Sequence, residues 1–377
     1  MAADEPVWRD LITADETHAL APGIPSDLDR APDVLVVGGG MVGVVTAVLC
    51  GRAGLGRVTL VERSNLGSGP SGRAAGILVP DGAEPAALVG LARASLALWH
   101  QLDEGWPSGL GLRPLDWLLA PPFRAGLLDD LPADARHLTV DDLGRVEPAL
   151  ARPTDAVLLS GQARLNPLQV IARLSRAIDS VATGVEVTDV LVRGGRVAEV
   201  ESSAGALHPG VVIFSTGSEP KLPHLPLRIR CRQVKGHLLA TEPAPFRLRV
   251  AGAGVPTQLD DDSLLAGGTV DEGDLSQAVR GEVIAAIRAE LDQFLPAARG
   301  LGVSHQWCCF RPALPDNLPV VDAVPGLTNA WLTCGHFRSG LLMAPATAQA
   351  LTQWIATGQR PDNVWPFRLS RFTDAPP

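Results

Sequence analysis

Gly38, Gly40 and Gly43 stand in the order G-x-G-x-x-G, and Glu62 follows nineteen residues after the last of them. Those residue types at that spacing suit the pyrophosphate and one ribose of a dinucleotide. Gly38 permits a tight turn, Gly40 lets the backbone approach the phosphates, and Gly43 allows the next helix to pack closely on the preceding strand. Backbone N–H groups at the helix start then face the phosphates, and the Glu62 carboxylate accepts both ribose hydroxyls.

Glycines alone are weak evidence, because a glycine-rich strand-to-helix turn need not bind anything. The elements around them carry the argument. Val34 to Val37 is a short, wholly apolar run of the kind a parallel strand buried on both faces needs, and it leads straight into the turn. A helix pattern follows, and a second apolar run, Val58 to Val61, ends at Glu62.

The chain of 377 residues is long for one core and suggests two domains, or one with a large insertion. At 46% hydrophobic and 19% charged residues it has an ordinary globular composition. A net charge of −9 without a basic run argues against a nucleic-acid partner. No apolar stretch reaches bilayer length and the acidic N-terminus lacks an apolar h-region, so the expectation is a cytoplasmic protein without membrane contact. Five cysteines without C-x-x-C, and eight histidines without H-x-H or H-x-x-x-H, point to neither a disulfide framework nor a metal. Tyrosine is absent.

Residues 1–30, rich in Ala, Pro and Asp, read as an extension over the surface or partly disordered. Apolar spacing from Pro85 to Glu104 predicts an amphipathic helix, and Asn166-Pro167 opens another to about Ile178. Residues 185–217 read as three short strands, the last ending at Ser215-Thr216-Gly217. From about 229 to 317 longer strands (Val234 to Ala240, Ser263 to Thr269, Val303 to Phe310) and a helix from Ser276 to Phe294 suggest a mixed sheet in a second domain. Residues 329–358 give strand, glycine turn and helix, a second unit able to aim a helix N-terminus at a ligand.

Four segments, GGGMVG with Glu62-Arg63, SGRAAGIL at 71–78, VVIFSTG at 211–217, and FRPALPDNLPVVD at 310–322 with CGHFRSGLLMAP at 334–345, resemble the D-amino-acid oxidase superfamily of flavin enzymes, its glycine oxidase and sarcosine oxidase branch above all. The resemblance implies an α/β fold: a Rossmann-like FAD-binding domain (31–105, 151–228 and 318–360) interleaved with a mixed-sheet substrate domain (106–150 and 229–317). The ends would be an N-terminal extension at 1–30 and a C-terminal tail at 361–377. It implies FAD as cofactor. Gly38, Gly40, Met41, Val42, Gly43, Glu62 and Arg63 would hold the ADP half and Val187 would touch the adenine. Ser71, Ala75, Gly76 and Ile77 would lie along the pyrophosphate and ring, with Thr216 and Gly217 at the end of their strand nearby. The turn His336, Phe337, Arg338, Ser339, Gly340, Leu341, Leu342 would approach the flavin ring, where N–H groups at a helix start stabilise negative charge.

By the same resemblance Arg311 would grip a substrate carboxylate, for which a guanidinium has two parallel donors, with Arg338, His336 and Ile77 beside it. The alternative for each arginine is an ordinary ion pair, and for His336 a packing role. Cys309 stands where sarcosine-oxidase relatives carry the cysteine bonded covalently to the flavin; neighbouring Cys308 leaves the match uncertain by one, and a buried free thiol is the alternative. Two departures bear on the pocket. The family's clamp tyrosine is missing, with glycine-rich AGAGVPTQ at 251–258 near its place, and SLLAGGTV at 263–270 lacks the lysine that promotes reaction with oxygen. The expected activity is FAD-dependent oxidation of a small amino acid (glycine, sarcosine or D-amino acid type) to an imine and 2-oxo acid, with O2 reduced to H2O2, in a protein compatible with a homo-oligomer. The alternatives are a flavin dehydrogenase of a D-amino or 2-hydroxy acid, and a non-catalytic flavin-binding subunit, against which Arg311 and Arg338 argue.

Overall fold

The computed structural model describes residues 4–81, 85–121, 128–151, 155–225, 227, 229–252 and 254–372. The strand Val34–Val37 lies inside a six-stranded sheet ordered 320–323, 330–334, 211–217, 34–37, 58–62, 180–183. All neighbours are parallel except the outermost pair, 320–323 with 330–334. Val34 is opposite Val211 on one side and Val58 on the other.

Strand side chains alternate between faces, which is why these runs are apolar throughout. Val34 and Val36 join one core with the helices Met41–Arg52, Pro167–Ser175 and Gly340–Thr357. Leu35 and Val37 join a second core with Val190, Val197 and Val200 of the hairpin 187–193/196–202. Cys50 of the first helix meets Thr352 of the last at 3.6 Å, so the two helices that begin at the glycine turns pack on each other.

Two further sheets complete the molecule. One is antiparallel, in the order 257–258, 264–267, 232–241, 303–313. The other is mixed, in the order 251–252, 113–119, 156–164, 77–78, with 136–138 also on 156–164.

The structure corrects two expectations. Residues 4–30, expected to lie over the surface or be partly disordered, are instead pinned at Val7 and Trp8, each 2% exposed in the main core, where the Trp8 indole donates to Ala74 O at 2.8 Å. The helix expected from Ser276 begins at Gly281. Asp271 and Asp274 cap local turns instead, accepting from Gly273 N and Ser276 N, and such Asx turns compete with helix. At the other end Val364, Phe367 and Leu369 are buried in two 3-10 turns. No helix among the described residues is long and apolar enough to cross a membrane.

Candidate active site

A cavity of about 1490 Å³ runs from the first glycine turn to the antiparallel sheet. At the end formed by the first glycine turn, Gly38 and Gly43 are sterically required, while a β-carbon on Gly40 would only crowd the Ser71 hydroxyl. A β-carbon on Gly38 would overlap Ser215 O, and one on Gly43 would overlap Gly38 O. Glu62 sits at the end of its strand, accepting from Gly39 N at 2.7 Å and Ser64 N at 2.9 Å. Arg63 and Val187 line the same end, as do Gly40, Met41, Val42, Thr216 and Gly217.

The segment 71–77 is clipped in place from several directions. Ser71 Oγ accepts from Met41 N at 3.0 Å, Trp307 Nε1 donates to Arg73 O at 2.9 Å, and Leu165 N donates to Gly76 O at 2.8 Å. Gly76 has φ +75°, and a β-carbon there would overlap Leu165 O. Ser71, Ala75, Gly76 and Ile77 all face the cavity.

At the far end Arg311 projects from strand 303–313 onto strand 232–241 and donates to Thr269 O at 2.7 Å. Its guanidinium lies against the α-carbon of Gly236, where a β-carbon would overlap both terminal nitrogens. Burial, then the charge of Arg338, pulls the Arg311 pKa down from the usual arginine range, but a guanidinium stays charged. Cys309 is buried on the same cavity wall, whereas the Cys308 thiol turns away to Gln277 O at 3.4 Å. Two residues apart on a strand share a face, which places Cys309, not Cys308, beside Arg311. Burial raises the Cys309 thiol pKa, with Arg311 opposing.

The turn 336–342 is tied to the Arg311 strand by Phe337 N, which donates to Pro312 O at 2.8 Å. Phe337 takes a left-handed φ of 48°, uncommon for a residue with a side chain, and the helix Gly340–Thr357 starts directly after it. The amides of Gly340, Leu341 and Leu342 belong to its first turn, which has no intrahelical acceptors. His336 is 7% exposed, its Nε2 is 3.3 Å from Thr347 Oγ1, and burial pushes its pKa down to about 4. Ser339 lines the cavity too, and Arg338 is exposed there without an ion pair among the described residues.

With the glycine turn, terminal carboxylate and second helix start at one cavity, the comparison with known proteins is decisive. Residues 33–354 match the family described as FAD dependent oxidoreductase. The chain belongs to that family. Its cofactor is FAD, and it is an oxidoreductase of the glycine oxidase and amino-acid oxidase type. It is 27% identical over 354 residues to the glycine oxidase of Pseudomonas putida, covering 87% of this chain and 95% of that protein. In fold it is similar to glycine oxidase from Geobacillus kaustophilus (TM-score 0.79, 24% identity, 91% of this chain and 99% of that one). It is equally similar to L-proline dehydrogenase from P. horikoshii (TM-score 0.81, 18% identity, 92% and 99%).

The residues present fit FAD. Side chains at Gly38 or Gly43 would close the turn, and the buried hydroxyls of Ser215 and Thr333 on the cavity wall have no partner among the described residues, as expected of groups that meet a ligand. Several residues on or behind the cavity wall were not foreseen from the sequence. Gly236 carried a signal, since a lone glycine inside a strand run marks close approach of another group; Trp117, Ser215 and Thr333 carried none. Lys235, next to Gly236, does not replace the missing family lysine. It points to the opposite face, fully buried, with Nζ 2.6 Å from Asp274 and 2.7 Å from Ala278 O.

Proposed function

We propose that the protein oxidises the amine of an amino acid, of the glycine, sarcosine or D-amino acid type, to an imine that hydrolyses to a 2-oxo acid, with O2 as the electron acceptor and H2O2 as its product. The observation that carries this is Arg311, a half-buried guanidinium in the wall of the flavin cavity with no carboxylate partner among the described residues. Such a group seeks an anion, and a carboxylate matches its fork.

Bound FAD supplies a hydride acceptor. The chain's own residues position the substrate. Arg311 takes the carboxylate, and Gly236 and Thr269 O fix the plane of the guanidinium. The nearby positive charges of Arg311 and Arg338 favour the neutral amine, the form able to lose a hydride, over the ammonium. The first-turn amides of helix 340–357 supply positive dipole at the cavity wall and would stabilise negative charge on a reduced flavin held there. His336, neutral at physiological pH, packs the turn without adding charge.

Anaerobic flavin reduction by a panel of amino acids and 2-hydroxy acids tests the reading, with the parent and Arg311→Lys compared. The lysine keeps the charge and loses the fork, so kcat/KM should fall by roughly ten- to a thousandfold, about 1.4 to 4 kcal/mol, at unchanged FAD content. Equal reduction rates at sub-saturating amino acid would place the clamp elsewhere. A panel reduced only by hydroxy acids would favour the dehydrogenase alternative.

A further inference from the structure

Moving along the cavity face of strand 232–241, Gly236 lies under the Arg311 guanidinium and the next side chain on that face is Leu238, about 7 Å further on at two residues' rise. Leu238 is opposite Gly267 in the neighbouring strand, and Leu265 follows on the same wall. Leu238 and Leu265 are 4% and 3% exposed. Trp117 of the mixed sheet and Val255 line the same cavity. Trp117 is set by Gly252, whose positive φ of 87° brings its α-carbon so near the indole that a β-carbon would sit 2.8 Å from the ring. Helix 281–294 adds Ile287 and Leu291 to the cavity lining, together with the exposed charge of Glu290. Thus an anion-binding fork opens on one side into a room walled by leucine, valine and tryptophan. Glycine, clamped at Arg311, would leave that wall facing water.

Building on the proposed role of Arg311, we infer that the substrate is an amino acid with a bulky apolar side chain, of leucine to phenylalanine size, lodged between Leu238, Leu265 and Trp117. Gly252, Gly254, Val255 and Pro256 line that room with little side-chain bulk.

The test measures the second-order rate constant of anaerobic flavin reduction in the holoprotein with glycine, sarcosine and both enantiomers of alanine, leucine and phenylalanine. Burying each extra carbon gives roughly a fourfold advantage, so the preferred enantiomer of leucine should exceed the same enantiomer of alanine by roughly fiftyfold, and glycine should be poorer still. In Trp117→Ala and Leu265→Ala the leucine-to-alanine ratio should fall by roughly tenfold; Trp117 is half-buried, so that variant keeps the test alive if Leu265→Ala fails to fold. Glycine or alanine reducing the flavin as efficiently as leucine overturns this inference and leaves amine oxidation standing. A ratio unmoved in the folded variants overturns it as well, and reduction by none of the amino acids removes both readings.

Discussion

The guanidinium of Arg311 occupies the space that a side chain at position 236 would fill. Strand 232–241 is buried along nearly all its length, and a glycine there costs conformational entropy that alanine would save. Its role is therefore to be looked for in what lies on it. In Gly236→Ala the atoms nearest the new methyl all belong to the flexible end of Arg311, so the arginine moves while the sheet persists. The expected outcome is unchanged or slightly raised thermal stability, full FAD content, and a loss in kcat/KM of roughly tenfold or more, about 1.4 kcal/mol. Unaltered kinetics would show that the guanidinium need not lie on Gly236.

Glu62 bonds two backbone amides, of Gly39 and Ser64, while its strand end faces the cavity. Glu62→Gln removes a charged acceptor and turns an NH2 donor toward at least one N–H. Charge-assisted bonds contribute roughly 1.5 to 3 kcal/mol, so the FAD dissociation constant should rise by roughly ten- to a hundredfold. Titrating apoprotein with FAD by quenching of flavin fluorescence reads this directly, and equal affinities would take Glu62 out of the ribose site.

Cys309 faces the cavity beside Arg311, but a thiolate is the reactive form of cysteine and burial holds this thiol protonated. The flavin should therefore be released on acid precipitation, leaving a yellow supernatant and a colourless pellet. Colour retained in the pellet, and lost from it in Cys309→Ala, would establish the covalent bond instead.

What could be read from the sequence was what backbone sterics and periodicity dictate. The run VLVV, the glycine turn and Glu62 lie as expected because each position tolerates so few residue types: Gly38 and Gly43 each face a carbonyl oxygen. Trp8 was hidden because an Ala-, Pro- and Asp-rich context says nothing about one buried indole. Strands 113–119 and 156–164 escaped notice because they exchange support across distant sequence, and Arg113, Pro114 and Asp116 obscure the apolar pattern of the first. The apolar wall beyond Arg311 is assembled from residues 117, 238, 255 and 265, whose proximity no local spacing announces.

His336 offers a pH test of the turn that carries Arg338. Burial pushes its pKa down to about 4, against an ordinary value of 6.5, so between these pH values the unfolded chain binds a proton that the folded chain refuses. Stability from the neutral imidazole is thus fully present above pH 6.5 and is lost progressively as pH falls toward 4. At 1.36 kcal/mol per pKa unit the loss amounts to about 3 kcal/mol. His336→Asn cannot titrate, so although it should be less stable than the parent at pH 7.5 through lost packing, its denaturant midpoint should fall less steeply between pH 6.5 and 4. Carboxylates elsewhere contribute the same acid sensitivity to both proteins and cancel in the difference. Parallel stability curves for the two would mean that His336 accepts its proton in the folded state, which requires the turn to open to water below pH 6.5.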